Sequence, residues 1–529
     1  MYLLIPGRHH LLTRFQAEYL QELLSAPPQE RLDVNGNPLQ IETPIEGIVF
    51  AVTSANHSGT KRNPIPFHLR AITIQEFAAS LSVPVYIFGI DDVGHLDDFA
   101  GYTLKTIRHQ SEERLDLTPQ NTAIVCSTPV MDMYIERGFQ ILPAELEDKD
   151  FQTFRAPLPW DLVEQIANET DWEKKLAITE QLNPSTLKIW QTYALGEKVA
   201  TILNDPIIGN DGDITESRDY SSYVRQMDEI AEIKFKDTAP FIRPGRVGDI
   251  GCAVGSWIRQ ACQDERNRES DFYGIELARK LFDICQQRKH NGEFVNPSVF
   301  FAKKNAVSDL VFRHNSMDTI HTSSLTHEIE SYGSRQDLLA FIKNRYAELK
   351  SGGVWINRDV VGPENGDQEV YLWLTDSDGS NGDPYQNFST SKELSAHLDQ
   401  LSTRARFLRF AQDFRKGQSG AISYASEERD GETYFRLSYR DAAEFLLTKD
   451  YTDNWESEMR ETFCFWDFPT WKTALEEADF RISPSSHAYT NPWIAQNRWQ
   501  DKVSLYSNLD TLTQHPLPPT NMLLVAERI

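Results

Sequence analysis

The amino-acid sequence predicts an α/β protein with two doubly wound domains. Short apolar runs alternate with amphipathic helical segments in residues 1–170 and again from residue 241, the pattern of parallel sheets with helical crossovers. The chain has 529 residues, and roughly 150 residues per domain make two or three domains. We expect an N-terminal domain over 1–175, a helical connector over 176–240, and a C-terminal domain over 241–529 with a helical insert at about 366–500.

Composition and charge exclude several classes of protein. A net charge of −25 repels phosphate backbones, so broad nucleic-acid binding is not expected, although a local basic groove for one RNA stays open. No stretch approaches the roughly 18 apolar residues of a membrane span, and the first residues lack the basic segment of a signal peptide. The five cysteines contain no Cys-x-x-Cys pair, so we expect reduced thiols, no metal and a cytoplasmic location.

Apolar runs in the N-terminal region predict four buried strands, at 2–5, 47–53, 83–89 and 122–126. Helical spacing between them predicts helices at about 12–24 and 69–81. Further along, residues 205–213 are rich in Asp and Gly and predict a loop, and 220–236 have helical spacing again. The apolar run at 522–525 predicts a closing strand for the C-terminal domain.

The strongest motif joins an apolar strand to a glycine turn. The strand runs through Asp249, and the turn from Gly251 to Gly255 opens a helix. Glycine lets the backbone approach a ligand closely at the carboxyl end of a strand. A second short strand ends in Glu276, an acid that suits a ribose diol. A dehydrogenase would favour Gly-x-Gly-x-x-Gly, and this turn lacks the second of those glycines.

This passage resembles the class I S-adenosylmethionine-dependent methyltransferase family over about 241–365, with the closing strand near 520–528. Residues 318–324 are similar to the family's fourth strand, and the Leu-x-x-Gly-Gly sequence at 349–353 is similar to the turn that leads into its fifth strand. The resemblance implies S-adenosylmethionine as cofactor. It places the methionine part and the ribose at Asp249, Gly251, Cys252, Gly255 and Glu276, and the adenine beside Asn305 and Ala306.

His327 and Glu328 follow the predicted fourth strand. Because the sulfonium is already activated, catalysis is mainly proximity, and a base is needed only for a protonated acceptor. Either residue could act as that base, while a packing role for His327 stays open. We expect a small polar metabolite as the methyl acceptor. The residues that we expect to bind it are Tyr220, Tyr223, Tyr439, Arg440 and Trp455. The alternative is that these side chains only pack in the protein core or at its edge.

The first predicted strand of the N-terminal region leads into Gly-Arg at 7–8, and an Asn-Pro pair at 63–64 precedes an arginine-bearing helix. Over residues 1–175 this region is similar to the nucleotidylyltransferases, especially nicotinamide mononucleotide adenylyltransferases. The resemblance implies a nucleotide site at Gly7, Arg8, His10, Thr13, Gln16 and Arg62, with His9 and Arg70 as further candidates. Where the family has His/Thr-x-Gly-His, this chain reads Thr-Arg-Phe-Gln at 13–16, and Gln supplies no positive charge to a transferring phosphoryl group.

We therefore expect a degenerate nucleotide fold at the N-terminus and a small-molecule methyltransferase at the C-terminus. Two alternatives stay open. One is a bifunctional methyltransferase and nucleotidylyltransferase, which would use Mg²⁺ in an active N-terminal domain. The other is an RNA- or nucleotide-modifying methyltransferase whose N-terminal domain recognises a nucleotide, and the net charge counts against it.

Overall fold

The computed structural model describes residues 1–93, 96–148, 153–205, 220–307, 309–416 and 421–529, with the backbone alone for 220–223. The chain forms two compact units, Met1–Ile214 and Thr215–Ile529. Each contains a parallel sheet, so the α/β class is confirmed. Within the described ranges, no helix combines the length and the apolar character that a membrane span would need.

The first unit is built on a parallel sheet. Its strands are β1 (Tyr2–Gly7), β2 (Gly47–Thr53), β3 (Val85–Ile90), β4 (Thr122–Val125), β5 (Ile141–Leu142), β6 (Leu146–Asp148) and β7 (Thr153–Phe154). The first five lie in the order β3-β2-β1-β4-β5, and β6 pairs with β7. Since the chain builds outward to β3 and then returns to β4, the switch point lies between β1 and β4. Such sheets bind ligands at the carboxyl ends of the strands flanking that point.

Part of the predicted connector belongs to this first unit. The helices of the first unit are α1 (Arg14–Ser25), α2 (Phe67–Ala78), α3 (Phe99–Gln110), α4 (Met131–Ile135), α5 (Pro159–Asn168), α6 (Leu176–Thr179), α7 (Pro184–Thr192) and α8 (Leu195–Leu203). The last three lie in the predicted connector. Trp190 of α7 and Val199 of α8 are buried in one core with Leu69 of α2, and Trp190 Nε1 donates to the carbonyl of His10 at 3.2 Å. The segment 176–240 is thus divided between the units, because long-range burial, which local periodicity does not reveal, fixes α7 and α8.

The second unit contains two sheets. Its strands are β8 (Arg246–Ile250), β9 (Asp271–Glu276), β10 (Val299–Lys303), β11 (Met317–Ser323), β12 (Leu349–Asp359), β13 (Glu369–Leu374), β14 (Ala425–Arg429), β15 (Glu432–Ser438), β16 (Phe480–Ile482), β17 (His487–Tyr489), β18 (Val503–Asn508), β19 (Thr513–His515) and β20 (Asn521–Arg528). The larger sheet has the order β10-β9-β8-β11-β12-β20-β16, with β17 also paired to β20. β8 to β12 are parallel and β20 is antiparallel to β12. The switch point lies between β8 and β11.

The helices of the second unit include one that is tied to the glycine turn. They are α9 (Tyr220–Thr238), α10 (Ser256–Ala261), α11 (Arg279–His290), α12 (Thr326–Tyr332), α13 (Arg335–Glu348), α14 (Ser391–Gln400), α15 (Thr403–Asp413), α16 (Tyr439–Thr448), α17 (Trp455–Glu458), α18 (Phe468–Glu476) and α19 (Pro492–Ile494). Asp228 of α9 accepts from Ser256 Oγ at 2.5 Å and from Arg288 Nη2 at 2.7 Å. Because Ser256 directly follows the turn, α9 is fixed against it.

The insert is not purely helical, contrary to the expectation from sequence. β13, β14, β15, β18 and β19 form an antiparallel sheet in the order β14-β15-β13-β18-β19, and α14 to α16 pack on it. A signal for this sheet was present in the sequence. Asp430 and Gly431 join β14 to β15 with φ angles of 52° and 84°, and Asp-Gly with both φ angles positive is typical of a two-residue hairpin turn.

Candidate functional site

The glycine turn lies at the carboxyl end of β8, beside the switch point between β8 and β11. Gly251, Ala253 and Gly255 have φ angles of 71°, 49° and 74°. The N–H of Gly251 donates to the carbonyl of Ile275 on β9 at 2.9 Å, and a Cβ on Gly251 would lie 3.1 Å from Leu325. Glycine at 251 therefore serves both the backbone conformation and the close approach of the loop after β11.

Glu276, the acid that ends β9, turns back onto this glycine turn. Its Oε2 accepts from the N–H of Ala253 at 2.8 Å, and its Oε1 accepts from the N–H groups of Leu277 and Ala278, each at 2.8 Å. Burial raises the pKa of this carboxyl to about 7, against the lowering effect of the three backbone hydrogen bonds. The glycine turn and Glu276 thus form one continuous surface at the ends of β8 and β9.

The other residues predicted to bind the cofactor lie at neighbouring strand ends. Asp249 Oδ1 is 2.7 Å from Nδ1 of His321 on β11, and the His321 ring stacks on Trp257 with ring centroids 3.9 Å apart. The motif did not single out His321, although it holds the Asp249 side chain in place. The remaining residues predicted to bind the cofactor are buried. Cys252 follows β8, and Asn305 and Ala306 follow β10.

His327 and Glu328 lie in the first turn of α12, directly after β11. Asp359, which ends β12, anchors this turn, because its Oδ1 is 2.7 Å from His327 Nδ1 and its Oδ2 accepts from the Thr326 N–H at 2.7 Å. A carboxylate at the start of a helix satisfies free N–H groups and is stabilised by them. Sequence reasoning missed Asp359 because it lies 32 residues from His327 and meets it only through the pairing of β11 with β12.

The electrostatics of this pair favour the charged forms of both residues. Burial alone would raise the pKa of Asp359, but the charge of His327 and its hydrogen bond hold that pKa down to about 2. Burial would also lower the pKa of His327, yet Asp359 and then Glu461 hold it well above its ordinary value. At neutral pH the two side chains are therefore an imidazolium and a carboxylate.

The insert supplies a further charged group, Glu461. Its Oε2 is 3.5 Å from His327 Nε2, and its Oε1 accepts from the Tyr332 hydroxyl at 2.8 Å. Glu444 of α16 braces the backbone nearby, because its carboxylate accepts from the N–H of Phe463 at 2.5 Å. Glu461 lies 129 residues beyond Tyr332, so no local pattern in the sequence could have identified it.

Helix α9 adds a cation to the loops at the carboxyl ends of the strands. Val224 and Met227 of α9 pack against the buried cluster around Ala253. Further along α9, Lys234 is 9% exposed, and its Nζ lies 3.3 Å from Oγ of Ser324, the residue after β11. Burial lowers the pKa of Lys234 to about 8. The predicted connector thus contributes a functional candidate that the motif analysis missed.

The residues predicted to bind the acceptor lie in different surroundings. Trp455 is 2% exposed in the core of the insert, the position of a packing residue. Tyr439 lines a cavity of about 310 Å³ and donates its hydroxyl to the carbonyl of Pro516 at 3.1 Å. Arg440 forms an ion pair with Asp367 at 3.1 Å. The two remaining side chains lie outside the described residues, namely Tyr220 and Tyr223.

Several of the predicted nucleotide-binding residues serve the local fold after β1. Thr13 Oγ1 accepts from the N–H of Gln16 at 3.0 Å, and Gln16 Oε1 accepts from the N–H of Thr13 at 3.2 Å. This capping box commits both polar side chains to the start of α1. His10 is 4% exposed, and its Nε2 lies 3.2 Å from the carbonyl oxygen of Arg62. Two further residues predicted to bind the nucleotide, Gly7 and Arg8, are the last residue of β1 and the residue that follows it.

Arg70 also has a structural explanation. It is 0% exposed, and its guanidinium donates to the carbonyl oxygens of Arg8, Thr53 and Ser54, each at 2.8 Å. These contacts tie together the loops that follow β1 and β2. His9 Nε2 lies 3.0 Å from the carbonyl oxygen of Ile5, so its ring is likewise held by the backbone of β1.

The solved structures to which parts of this chain are similar include proteins described as methyltransferases. No family model and no curated protein matches the sequence. A putative S-adenosylmethionine-dependent methyltransferase from Listeria monocytogenes is 14% identical, with a TM-score of 0.30, over 56% of this chain and 98% of that one. A possible histamine N-methyltransferase from Thermotoga maritima is 12% identical, with a TM-score of 0.30, over 59% and 97%. A Haloferax volcanii complex of the Trm112 activator with a putative methyltransferase is 10% identical, with a TM-score of 0.32, over 58% and 94%.

Proposed function

We propose that this chain is a class I S-adenosylmethionine-dependent methyltransferase that acts on a small polar metabolite. The observation that carries the proposal is the hydrogen bond from the Ala253 N–H to Glu276 at 2.8 Å, which joins the glycine turn to the acid of the next strand. Both lie beside the switch point between β8 and β11, where doubly wound sheets bind their ligands. The same positions carry the motif that resembles this family.

The residues present suit the cofactor. A carboxylate offers about four lone-pair sites, and three N–H groups already donate to Glu276, which leaves an acceptor for a ribose hydroxyl. The backbone from Gly251 to Gly255 would hold the methionine part, and Asn305 and Ala306 would border the adenine. When bound, the cofactor supplies a methyl group on a sulfonium, so the protein contributes mainly orientation and exclusion of water.

His327 and Glu328 are the residues that we place next to the acceptor. Because Asp359 and Glu461 keep His327 protonated at neutral pH, His327 donates a hydrogen bond to the acceptor rather than taking its proton. Glu328 is half-buried beside it and is the group that accepts a proton where the acceptor requires it. The charge of Glu328 also helps to raise the pKa of Glu276, which puts it within electrostatic reach of the ribose site.

For the N-terminal unit we propose nucleotide recognition without group transfer. The capping box supports this, because the side chains of Thr13 and Gln16 are engaged with the backbone of α1 and do not face a phosphoryl group. A catalytic N-terminal unit is the competing function. Titration with ATP or CTP in the presence of Mg²⁺, with an assay for pyrophosphate, separates the two, since pyrophosphate release requires transfer.

Calorimetric titration of the full chain with S-adenosylhomocysteine tests the methyltransferase proposal. We expect saturable binding at one site, weakened at least about tenfold by Glu276→Gln, because a hydrogen bond to a charged group contributes about 1.5–3 kcal/mol. Glu269→Gln changes an exposed carboxyl just before β9 and should bind like the wild type. A wild-type chain that does not bind this nucleoside would contradict the proposal.

A further inference from the structure

His327, Glu328 and Glu461 form a compact group of metal-ligating side chains. Among the residues that the structure describes, one ligand atom from each of these three lies within 4.8 Å of the other two. His327 and Glu461 are 5% and 2% exposed, and Glu328 is half-buried. Imidazole together with carboxylates is a donor set that suits divalent cations such as Mn²⁺, Fe²⁺ and Zn²⁺. The group is therefore suited by its chemistry to a divalent ion.

Asp359 orients His327 as a second residue orients a histidine ligand in metalloproteins. It receives Nδ1 of His327 at 2.7 Å, and it also holds the backbone of the α12 first turn through Thr326. The other ring nitrogen, Nε2, then faces Glu461. Histidine ligands commonly donate the N–H that does not face the metal to a carboxylate, which fixes both tautomer and ring orientation.

The distance between Nε2 of His327 and Oε2 of Glu461 also fits a cation between them. It is 3.5 Å, whereas hydrogen bonds between charged groups are about 2.7–2.9 Å long. The contact of the same ring with Asp359 has that shorter length, 2.7 Å. Two ligands at about 2.1 Å from one ion, with an angle of about 90–115°, lie about 3.0–3.5 Å apart. The pair is thus spaced like two ligands of one ion.

The charges around the group favour a cation. Asp359 at the end of β12, Glu461 from the insert and Glu328 on α12 bring three carboxylates to His327. Lys234 of α9 reaches the adjoining loop through Ser324, and Arg358, which is paired with Asp237, lies within electrostatic reach of Lys234. Carboxylates therefore outnumber cationic groups at this place, and a divalent cation reduces their mutual repulsion.

We propose that His327, Glu328 and Glu461 bind a divalent cation, and that the methyl acceptor is a hydroxyl compound whose oxygen completes the coordination. The inference rests on the proposed methyltransferase function, which puts the cofactor beside this group. Three protein ligands leave open positions, as in catalytic metal sites. Binding of the cation displaces the Nε2 proton of His327 into solvent, so that His327 and Glu328 act as ligands in place of the roles they have without the cation. The acceptor oxygen then ionises more readily.

Atoms and electrons are conserved in this methyl transfer. The acceptor O–H gives its proton to bulk water, and the oxygen forms a bond to the methyl carbon. The bond between that carbon and sulfur breaks at the same time, and its electron pair stays on sulfur as the neutral thioether. The cation changes neither charge nor oxidation state, so the reaction needs no further reactant.

Binding of Mn²⁺ to the full chain, followed by the electron paramagnetic resonance signal of the free ion, tests the site. We expect one tight site that is weakened at least about tenfold by Glu328→Gln and by Glu461→Gln, since even residues that only orient ligands contribute about 10–100-fold to metal affinity. Glu330→Gln is the matched control, because Glu330 lies two residues on in the same helix, about 200° around its axis. Its Mn²⁺ affinity should equal that of the wild type.

Equal Mn²⁺ affinity in the wild type, Glu328→Gln and Glu461→Gln would overturn the cation site. The half-buried position of Glu328 makes its variant the safer test of the two, and retained binding of S-adenosylhomocysteine shows that it is folded. Titration of the metal-free chain with S-adenosylhomocysteine separates the two proposals. Nucleoside binding without Mn²⁺ binding overturns the cation site alone, whereas absence of nucleoside binding overturns the methyltransferase proposal.

Discussion

Lowering the pH should weaken binding of S-adenosylhomocysteine through one buried carboxyl, that of Glu276. Burial raises the pKa of this group to about 7, and the three N–H groups that donate to it leave a site for a ribose hydroxyl. A hydroxyl donates to the ionised carboxylate more strongly than to the neutral acid. The binding-competent form of the apo protein is therefore the ionised one.

The expected magnitude follows from the fraction of Glu276 that is ionised. With a pKa of about 7, that fraction is about 0.9 at pH 8 and about 0.03 at pH 5.5. The apparent affinity should therefore fall about 30-fold between these values, which corresponds to about 2 kcal/mol. The stability of the unliganded protein depends on pH with the opposite sign. Since the folded pKa is raised above 4.5, the contribution of Glu276 to stability is present below pH 4.5 and is lost as the pH rises through about 7.

Isothermal titration calorimetry at pH 5.5, 6.5, 7.5 and 8 measures this dependence, and Glu276→Gln is the control. The variant cannot ionise at this position, so its affinity should be low and nearly constant with pH, and any titration of the ligand itself cancels in the ratio. Thermal stabilisation by the nucleoside should likewise be larger at pH 8 than at pH 5.5 in the wild type alone. An equal pH dependence in wild type and variant would refute the assignment of Glu276 to the ribose.

Three further predictions concern other parts of the fold. Gly251→Ala should abolish nucleoside binding and cost about 1–2 kcal/mol of stability, whereas Gly292→Ala, with a φ of 72° and open space around its Cβ, should cost stability alone. Asp359→Asn should lower the free energy of unfolding by about 2–4 kcal/mol at pH 7. The stability from Asp359 is present above pH 3.8 and lost as the pH falls through about 2, so this deficit should shrink in acid. Arg70→Met should destabilise the first unit by about 2–4 kcal/mol, with nucleoside affinity unchanged.

Chemical denaturation measures the predicted changes in the free energy of unfolding, and calorimetry measures the predicted changes in nucleoside affinity. Equal nucleoside affinity in the two glycine variants would contradict a close approach of ligand at Gly251. A deficit of Asp359→Asn that stays constant down to pH 2 would contradict the low pKa of that carboxyl. An Arg70→Met chain as stable as the wild type would show that its three carbonyl contacts contribute little.

The sequence by itself determined the parallel α/β class and the position of the glycine turn. It also placed Glu276 at the end of the next strand, and the structure brings the two together. These features are readable because each depends on a few consecutive residues, namely an apolar run, a glycine at a positive φ and an acid at a strand end. The Asp430-Gly431 hairpin was equally readable, but the helical segments around it led to a purely helical expectation for the insert.

Only the tertiary structure decided which side chains surround His327. Asp359 reaches it across neighbouring strands, Glu461 arrives from the insert, and Lys234 reaches the adjoining loop from α9. The tertiary structure also showed that Thr13 and Gln16 cap a helix. The physical reason is that a charge, a metal ligand or a buried hydrogen bond acts over a few ångströms of space, whatever the separation along the chain. The sequence gives only the separation of two residues along the chain, and the packing of sheets and helices brings distant residues together in space.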